Sequence, residues 1–332
     1  YGFVGAYERE AIRPHVLGRF ENMLLASARH PAMQYYLDNY ASVGPNSQAG
    51  AAHGRGLNEN YGRELMELHT LGVDGGYSQA DVIALAKLLT GWSVDREMDS
   101  PGANGFRYYP QRHEPGDVTV LGRTYPPSEE GGVQAIRDLA NHPKTAVHIA
   151  RKFAQHIIAE NPPQASVDRL AQIFRATGGD LKAMTMAAID DPIGWAPSNT
   201  RIRPPVEYLT AIGRAMNWPG SNTNVDRARS DSTLHDLIGA CQSMGQVPLA
   251  PLGPNGWPDS SNAWSGADAI LTRVEFAARI GNRSATGSDP MRVAQSTLGP
   301  MLSNDTHLAI TRAASPAQGL ALVFASPEFQ RR

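Results

Sequence analysis

Only one cysteine, Cys241, occurs in the chain, so no intrachain disulfide forms and no paired-cysteine metal site is available. Its apolar helical surroundings make it a small buried hydrophobe. No run approaches the roughly 18 apolar residues of a membrane-spanning helix, and the longest apolar segments read as core helices. Neither sign of charge is in excess. With 30 Lys+Arg against 32 Asp+Glu, the formal net charge of -2 gives no general attraction toward phosphate backbones or anionic lipid. Nucleic acid is therefore not an expected partner. HExxH, the EF-hand loop, the G-x-S-x-G elbow and the glycine-rich phosphate loops are also missing, and no motif calls for a metal or other cofactor.

What the chain does contain is enough apolar surface to fold. Hydrophobic residues make up 41% and charged residues 19% of its 332 positions, which separates it from chains too polar to offset the entropy of ordering. The 24 prolines and 32 glycines exceed what compact bundles need, so long ordered loops are expected between helices.

Apolar residues at three- and four-residue steps between Ala11 and Tyr40 imply two helices divided at His30-Pro31. A Gly/Ser/Asn-rich loop over 41–56 leads to a helix that Asn58 caps and Gly72 stops. Its apolar face is Leu65, Met66 and Leu68. Ser78 and Asp81 then form a near capping box for a helix running to about Trp92. Short strands are expected between Ser93 and Gly132, from Phe106, Tyr108, Val118, Val120 and Leu121. Helical periodicity returns to Asp191, broken at His142-Pro143, Pro162-Pro163 and Gly178-Gly179, with Asp180 as the last cap. Further helices follow Pro204, around a Pro/Trp-rich loop at about 248–266. The expected fold is mainly α: one large helical domain over 1–332 with a small β-hairpin insert at about 105–125.

Several passages together resemble the domain-of-unknown-function 1800 family of bacterial proteins. The strongest is GLNENYGRELMELHTLGVDGGYSQADVIALAKLLTGW, from Gly56 to Trp92; FRYYPQRHEPGDVTVLG, HIARKFAQHIIAENPP, FRATGGDL, PNGWPDSSNAW and the closing ASPEF follow in the family's order. One departure is the Ser260-Ser261-Asn262-Ala263-Trp264 stretch, where relatives carry a glycine-rich turn. The resemblance implies an exported protein, periplasmic, cell-surface or extracellular. It also implies an N-terminal portion upstream of Tyr1, and work on a polymer beside sulfatase-like proteins of the domain-of-unknown-function 1501 family.

On the helix after Asn58, an α-helical wheel groups Glu59, Asn60, Arg63, Glu64, Glu67 and Thr70 on one polar face. Glu64 and Glu67, one turn apart, are candidates for a carboxylate pair with unequal protonation, as acid–base hydrolysis or elimination requires. Glu59, Arg63 and Glu67 at i, i+4, i+8 equally suit a solvated ladder of ion pairs. His69 lies about 140° from Glu64 on that wheel, so one straight helix cannot aim all three at one metal ion. His113, in the PQRHEPGD loop, is the other catalytic candidate, or else a turn histidine bonded to backbone. Candidate substrate contacts are Asn60, Arg63, Trp92, Trp257 and Trp264; the last two tryptophans either stack on a sugar ring or cover the core. Two functions follow: an exported hydrolase or lyase acting on a polysaccharide or similar polymer, or a non-catalytic surface protein whose polar helix meets the missing N-terminal fragment or a partner chain.

Overall fold

The computed structural model describes residues 2–53, 56–95, 105–195, 201–218, 236–284 and 286–332. Mainly α-helical, the chain divides into two compact units, Tyr1–Trp195 and Ala196–Arg332, where the sequence led us to expect one large domain. Each unit has its own apolar core. Phe20, Tyr61, Leu65, Trp92, Ile136 and Phe174 belong to the first, and Tyr208, Ile212, Phe276, Leu320 and Phe324 to the second.

The first unit runs α1 (Val4–Tyr7), α2 (Phe20–Arg29), α3 (Pro31–Tyr36), α4 (Gln48–His53), α5 (Asn60–Glu64) and α6 (Gln79–Leu88). After the strands come α7 (Glu129–Ala140), α8 (Pro143–Ile157), α9 (Gln164–Ala176) and α10 (Leu181–Ile189). Both His-Pro steps act in the same way. Proline cannot continue the preceding helix but suits the first position of the next, and the histidine Nδ1 accepts the free N–H of Ala32 in α3 and of Lys144 in α8. Asp180 caps α10 by accepting from Ala183 N–H, as its position implied.

Strand structure is more extensive than the expected hairpin and begins earlier. Helix α6 stops at Leu88, and Trp92 opens β1 (Trp92–Val94), which pairs antiparallel with β2 (Phe106–Tyr108). A second ribbon joins β3 (Val118–Val120) to β4 (Arg123–Tyr125). Its two-residue turn has positive φ at both Leu121 (50°) and Gly122 (78°), the geometry whose twist matches a hairpin. Leucine resists that conformation, and the Leu121 N–H is held by Asp81 Oδ1 at 2.8 Å. The same Asp81 completes the capping box with Ser78, so one carboxylate fixes both the start of α6 and the ribbon against it.

The second unit contains α11 (Pro205–Ala215), the described part of α12 (236–243), α13 (Ala267–Ser284), α14 (Pro290–Leu298), α15 (Asn304–Thr311), α16 (Pro316–Ala325) and α17 (Pro327–Gln330). Tyr208 of α11 lies at its centre, fully buried, and its hydroxyl donates to Phe324 O at 3.1 Å.

Candidate functional site

Helix α5 reaches the first unit's core through Gly62. A Cβ there would stand 2.9 Å from Val82 O and 3.0 Å from Ala86 N, so only glycine lets α5 lie this close to α6. Beyond Glu64 the helix widens. Residues Leu65–Thr70 form a π-helix, with Leu71 N–H donating to Met66 O at 2.8 Å and the Thr70 hydroxyl to Leu65 O at 2.7 Å, before Gly72 ends it with φ of 85°. The extra residue per turn changes the phase assumed from the α-helical wheel. Leu65 and Met66 are buried as expected, but Leu68 is rotated out of the buried stripe and is only half-buried.

The expected ion-pair ladder is only half present. Arg63 binds Glu59 at 3.3 Å and turns to Gln79 Oε1 at 2.8 Å, while Gln79 Nε2 donates to Glu59 Oε2 at 2.6 Å, closing a triangle. Glu67 stands outside it. Among the described residues, neither Glu64 nor Glu67 has a side-chain hydrogen bond or ion pair. Burial, then the nearby Glu67 carboxylate, push the Glu64 carboxyl above its ordinary range, and Arg63 only partly opposes them. Tyr77, which the sequence reading passed over, shares this surface. Burial and then Glu67 raise its hydroxyl, with Glu64 and Asp74 adding to the effect and Arg63 opposing it. Its only sequence signal was its place just ahead of the Ser78 cap, where the chain folds back onto α5.

Of the other candidates on this helix, Asn60 is exposed, with its backbone N–H donating to Asn58 Oδ1. His69 turns inward. Its ring meets Tyr61 edge-on at 6.4 Å, its Nδ1 is buried without a partner, and burial, followed by the neighbouring His148, lowers its pKa to about 4. It is therefore a neutral ring at pH 7, facing His148 rather than the two glutamates.

His113 belongs elsewhere. It is buried, its Nδ1–H donates to Thr90 O at 2.8 Å, and Tyr108 packs edge-on to it at 5.6 Å. Thr90 lies just past the carboxyl end of α6, whereas Gln79, the partner of Arg63, begins that helix; the rise between them is roughly 15 Å. His113 is thus bonded to backbone and does not join the glutamates, which corrects the expectation of a shared site. Its neighbour Glu114 is the more heavily engaged residue. Only 2% exposed, it accepts from the Asn46 N–H at 2.9 Å and the Asn46 side chain at 2.7 Å, and pairs with Lys87 at 3.2 Å. Burial pushes its carboxyl up, but those bonds win and hold it below its ordinary range.

The tryptophans divide. Trp92 is fully buried, edge-on to Phe106 at 5.3 Å and beneath the Arg29 guanidinium at 5.6 Å, so it offers no face to a ligand and its expected substrate contact is withdrawn. In the second unit Trp264 is buried and its Nε1–H donates to Pro258 O, while the half-buried Trp257 packs 6.0 Å away, tilted by 54°. That loop is fastened through Asp259 to Arg201 at 3.0 Å. Three cavities lined by described residues, of about 640, 800 and 140 Å³, include none of the candidate residues. No group of three or more His, Cys, Asp or Glu suited to a metal ion occurs among the described residues.

The family model described as "Protein of unknown function (DUF1800)" matches residues 2–331. The chain belongs to that family. Neither curated proteins nor solved structures give a match. No helix among the described residues is long and apolar enough to cross a membrane.

Proposed function

We propose that this member of the family is an exported hydrolase or lyase acting on a polysaccharide or similar polymer, with Glu64 and Glu67 as its acid–base pair. One observation carries the reading: on a helix where Glu59 and Arg63 are mutually satisfied, the two carboxylates three residues apart are left unpaired, and Glu64 is pushed toward its protonated form. In hydrolysis Glu64 gives its proton to the leaving oxygen while the Glu67 carboxylate takes one from the attacking water. The hydroxyl then bonds to the carbon that the leaving oxygen departs. In elimination Glu67 instead removes a proton from the carbon beside an acidifying group, a carbon–carbon double bond forms as the neighbouring C–O bond breaks, and Glu64 protonates the departing oxygen. Tyr77 and Asn60, beside the pair, are the substrate-orienting groups. Export and a sulfatase-like partner of the domain-of-unknown-function 1501 family belong to the same proposal and rest on the family resemblance. The test is release of reducing ends or unsaturated products from a panel of neutral and acidic polysaccharides. Glu64→Gln and Glu67→Gln are each expected to lower the rate about 10²-fold or more. Variants as active as the parent protein, or an inert parent across the panel, would overturn the assignment.

The non-catalytic reading has one observation in its favour. Phe3, Tyr35 and Tyr36 are 50%, 39% and 56% exposed, and Phe3 stacks on Tyr35 at 5.9 Å, which makes a local aromatic surface of the kind that partner chains cover.

A further inference from the structure

Independently of the carboxylate pair, the second unit contains a cavity of about 800 Å³ between α11, α14 and the end of the chain, whose charged lining is Arg203, Glu207, Arg214 and Arg332. Three guanidiniums face one carboxylate. Arg332 pairs with that carboxylate, its Nε 2.9 Å from Glu207 Oε2. Arg201, close by, is already bound to Asp259. Arg203 stacks its guanidinium on the Phe329 ring, 5.3 Å from the centroid, and among the described residues no group accepts from its side chain. Arg214 is exposed and likewise has no acceptor among them. Each guanidinium presents five N–H donors in a planar fork, and those of Arg203 and Arg214 open to the cavity rather than to a protein acceptor among the described residues.

The other polar groups of the lining do not supply the missing acceptors. The hydroxyls of Thr210 and Thr297 donate along their own helices, to Val206 O and Val293 O, and Ser296 donates to Val293 O as well. What the cavity lacks is negative charge in a geometry that guanidinium forks match, which is the chemistry of a tetrahedral oxyanion. Its volume falls in the range of small-molecule sites and exceeds what a bare inorganic anion fills. We propose that this cavity binds a small organic molecule through a phosphate or sulfate monoester, with Arg203 and Arg214 donating to the ester oxygens and the Arg332–Glu207 pair forming the wall beside them. Phe329 backs the Arg203 guanidinium, and Val206, Ala211 and Ala215 of the lining give the organic part an apolar edge.

The test is calorimetric titration of the whole protein with phenyl phosphate, phenyl sulfate and benzoate at constant ionic strength. Saturable binding of at least one of the two esters, at least tenfold tighter than benzoate, is expected. Arg214→Gln, at an exposed position where folding is not at stake, and Arg203→Gln should each weaken it at least tenfold, while Arg175→Gln on an exposed face of the first unit should not. The arms separate the two sources: phosphate binding should fade as pH falls through the second ionisation near pH 6, and sulfate binding should not. No saturable binding of either ester, equal binding of benzoate, or undiminished binding in both Arg203→Gln and Arg214→Gln would overturn the proposal.

Discussion

Glu64 and Glu59 sit on adjacent turns of one helix and have opposite circumstances. Glu59 is bonded to both Arg63 and Gln79, whereas Glu64 faces the Glu67 carboxylate and has no partner among the described residues. A raised carboxyl in the folded state means that its charged form is better tolerated when the chain is unfolded. Its contribution is therefore most favourable at acid pH and is lost as pH rises through the folded value. Glu64→Gln should accordingly raise the melting temperature at pH 7 and leave it unchanged near pH 3, as thermal denaturation would reveal; a lower melting temperature at pH 7 would refute this. Trp92 gives a contrasting case. Because it is fully buried, Trp92→Ala should cost about 3–5 kcal/mol in denaturant unfolding, a loss of stability rather than of binding. That burial was not legible from the residue itself, since a tryptophan at the end of a helical pattern suits a binding face as well as a core. Only the pairing of β1 with β2, which turns Trp92 toward Phe106, decides between them.

At the scale of elements, the parts of the fold written in short-range chemistry were readable in advance. The Ser78–Asp81 box, the Asp180 cap, the His-Pro breaks and the Gly72 stop each depend on residues within a few positions of one another, and each is observed. The π-helix at Leu65–Thr70 was not readable, because its sequence is compatible with an ordinary α-helix; the widened turn depends on local bonding by Thr70 and Leu71. Its consequence was a misplaced Leu68. Glu114 was similarly hidden: its partners, Asn46 and Lys87, lie 68 and 27 residues away. It fastens the loop before α4 to the end of α6. Glu114→Gln should cost about 1–3 kcal/mol, since the charge-assisted bonds from Asn46 weaken and the partly exposed Lys87 loses its counter-ion. The destabilisation should shrink as pH falls below the ordinary carboxylate range and vanish only below the lowered native value, where the folded side chain is protonated too. A cost that does not diminish between about pH 6 and pH 3 would count against this role. His69 adds a second acid-sensitive element. With a pKa of about 4 against an ordinary 6.5, it contributes stability above pH 6.5 that is lost as pH falls toward 4, so His69→Gln should flatten the decline of melting temperature between those values.

For the whole molecule, the mainly α class followed from periodicity, while the division into two units did not. Two separate apolar clusters look like one in a sequence, because nothing local marks which helices share a core. The candidate site was legible as a polar helical face, and the structure sorts that face into a satisfied structural triangle and an unsatisfied carboxylate pair. The aromatic surface of Phe3, Tyr35 and Tyr36 carries its own expectation. If it is a docking face, Tyr35→Asp with Tyr36→Asp should convert an assembled species into a monomer by gel filtration with mass detection, and an unchanged mass would remove support for the assembly reading. The acid–base pair depends on the coupling of the two glutamates, and a carboxyl-carbon NMR titration measures that coupling most directly. Glu64 should titrate above the ordinary value of 4.5 and move back toward it in Glu67→Gln. A Glu64 titration at or below that value, unmoved by Glu67→Gln, would contradict the acid–base pair.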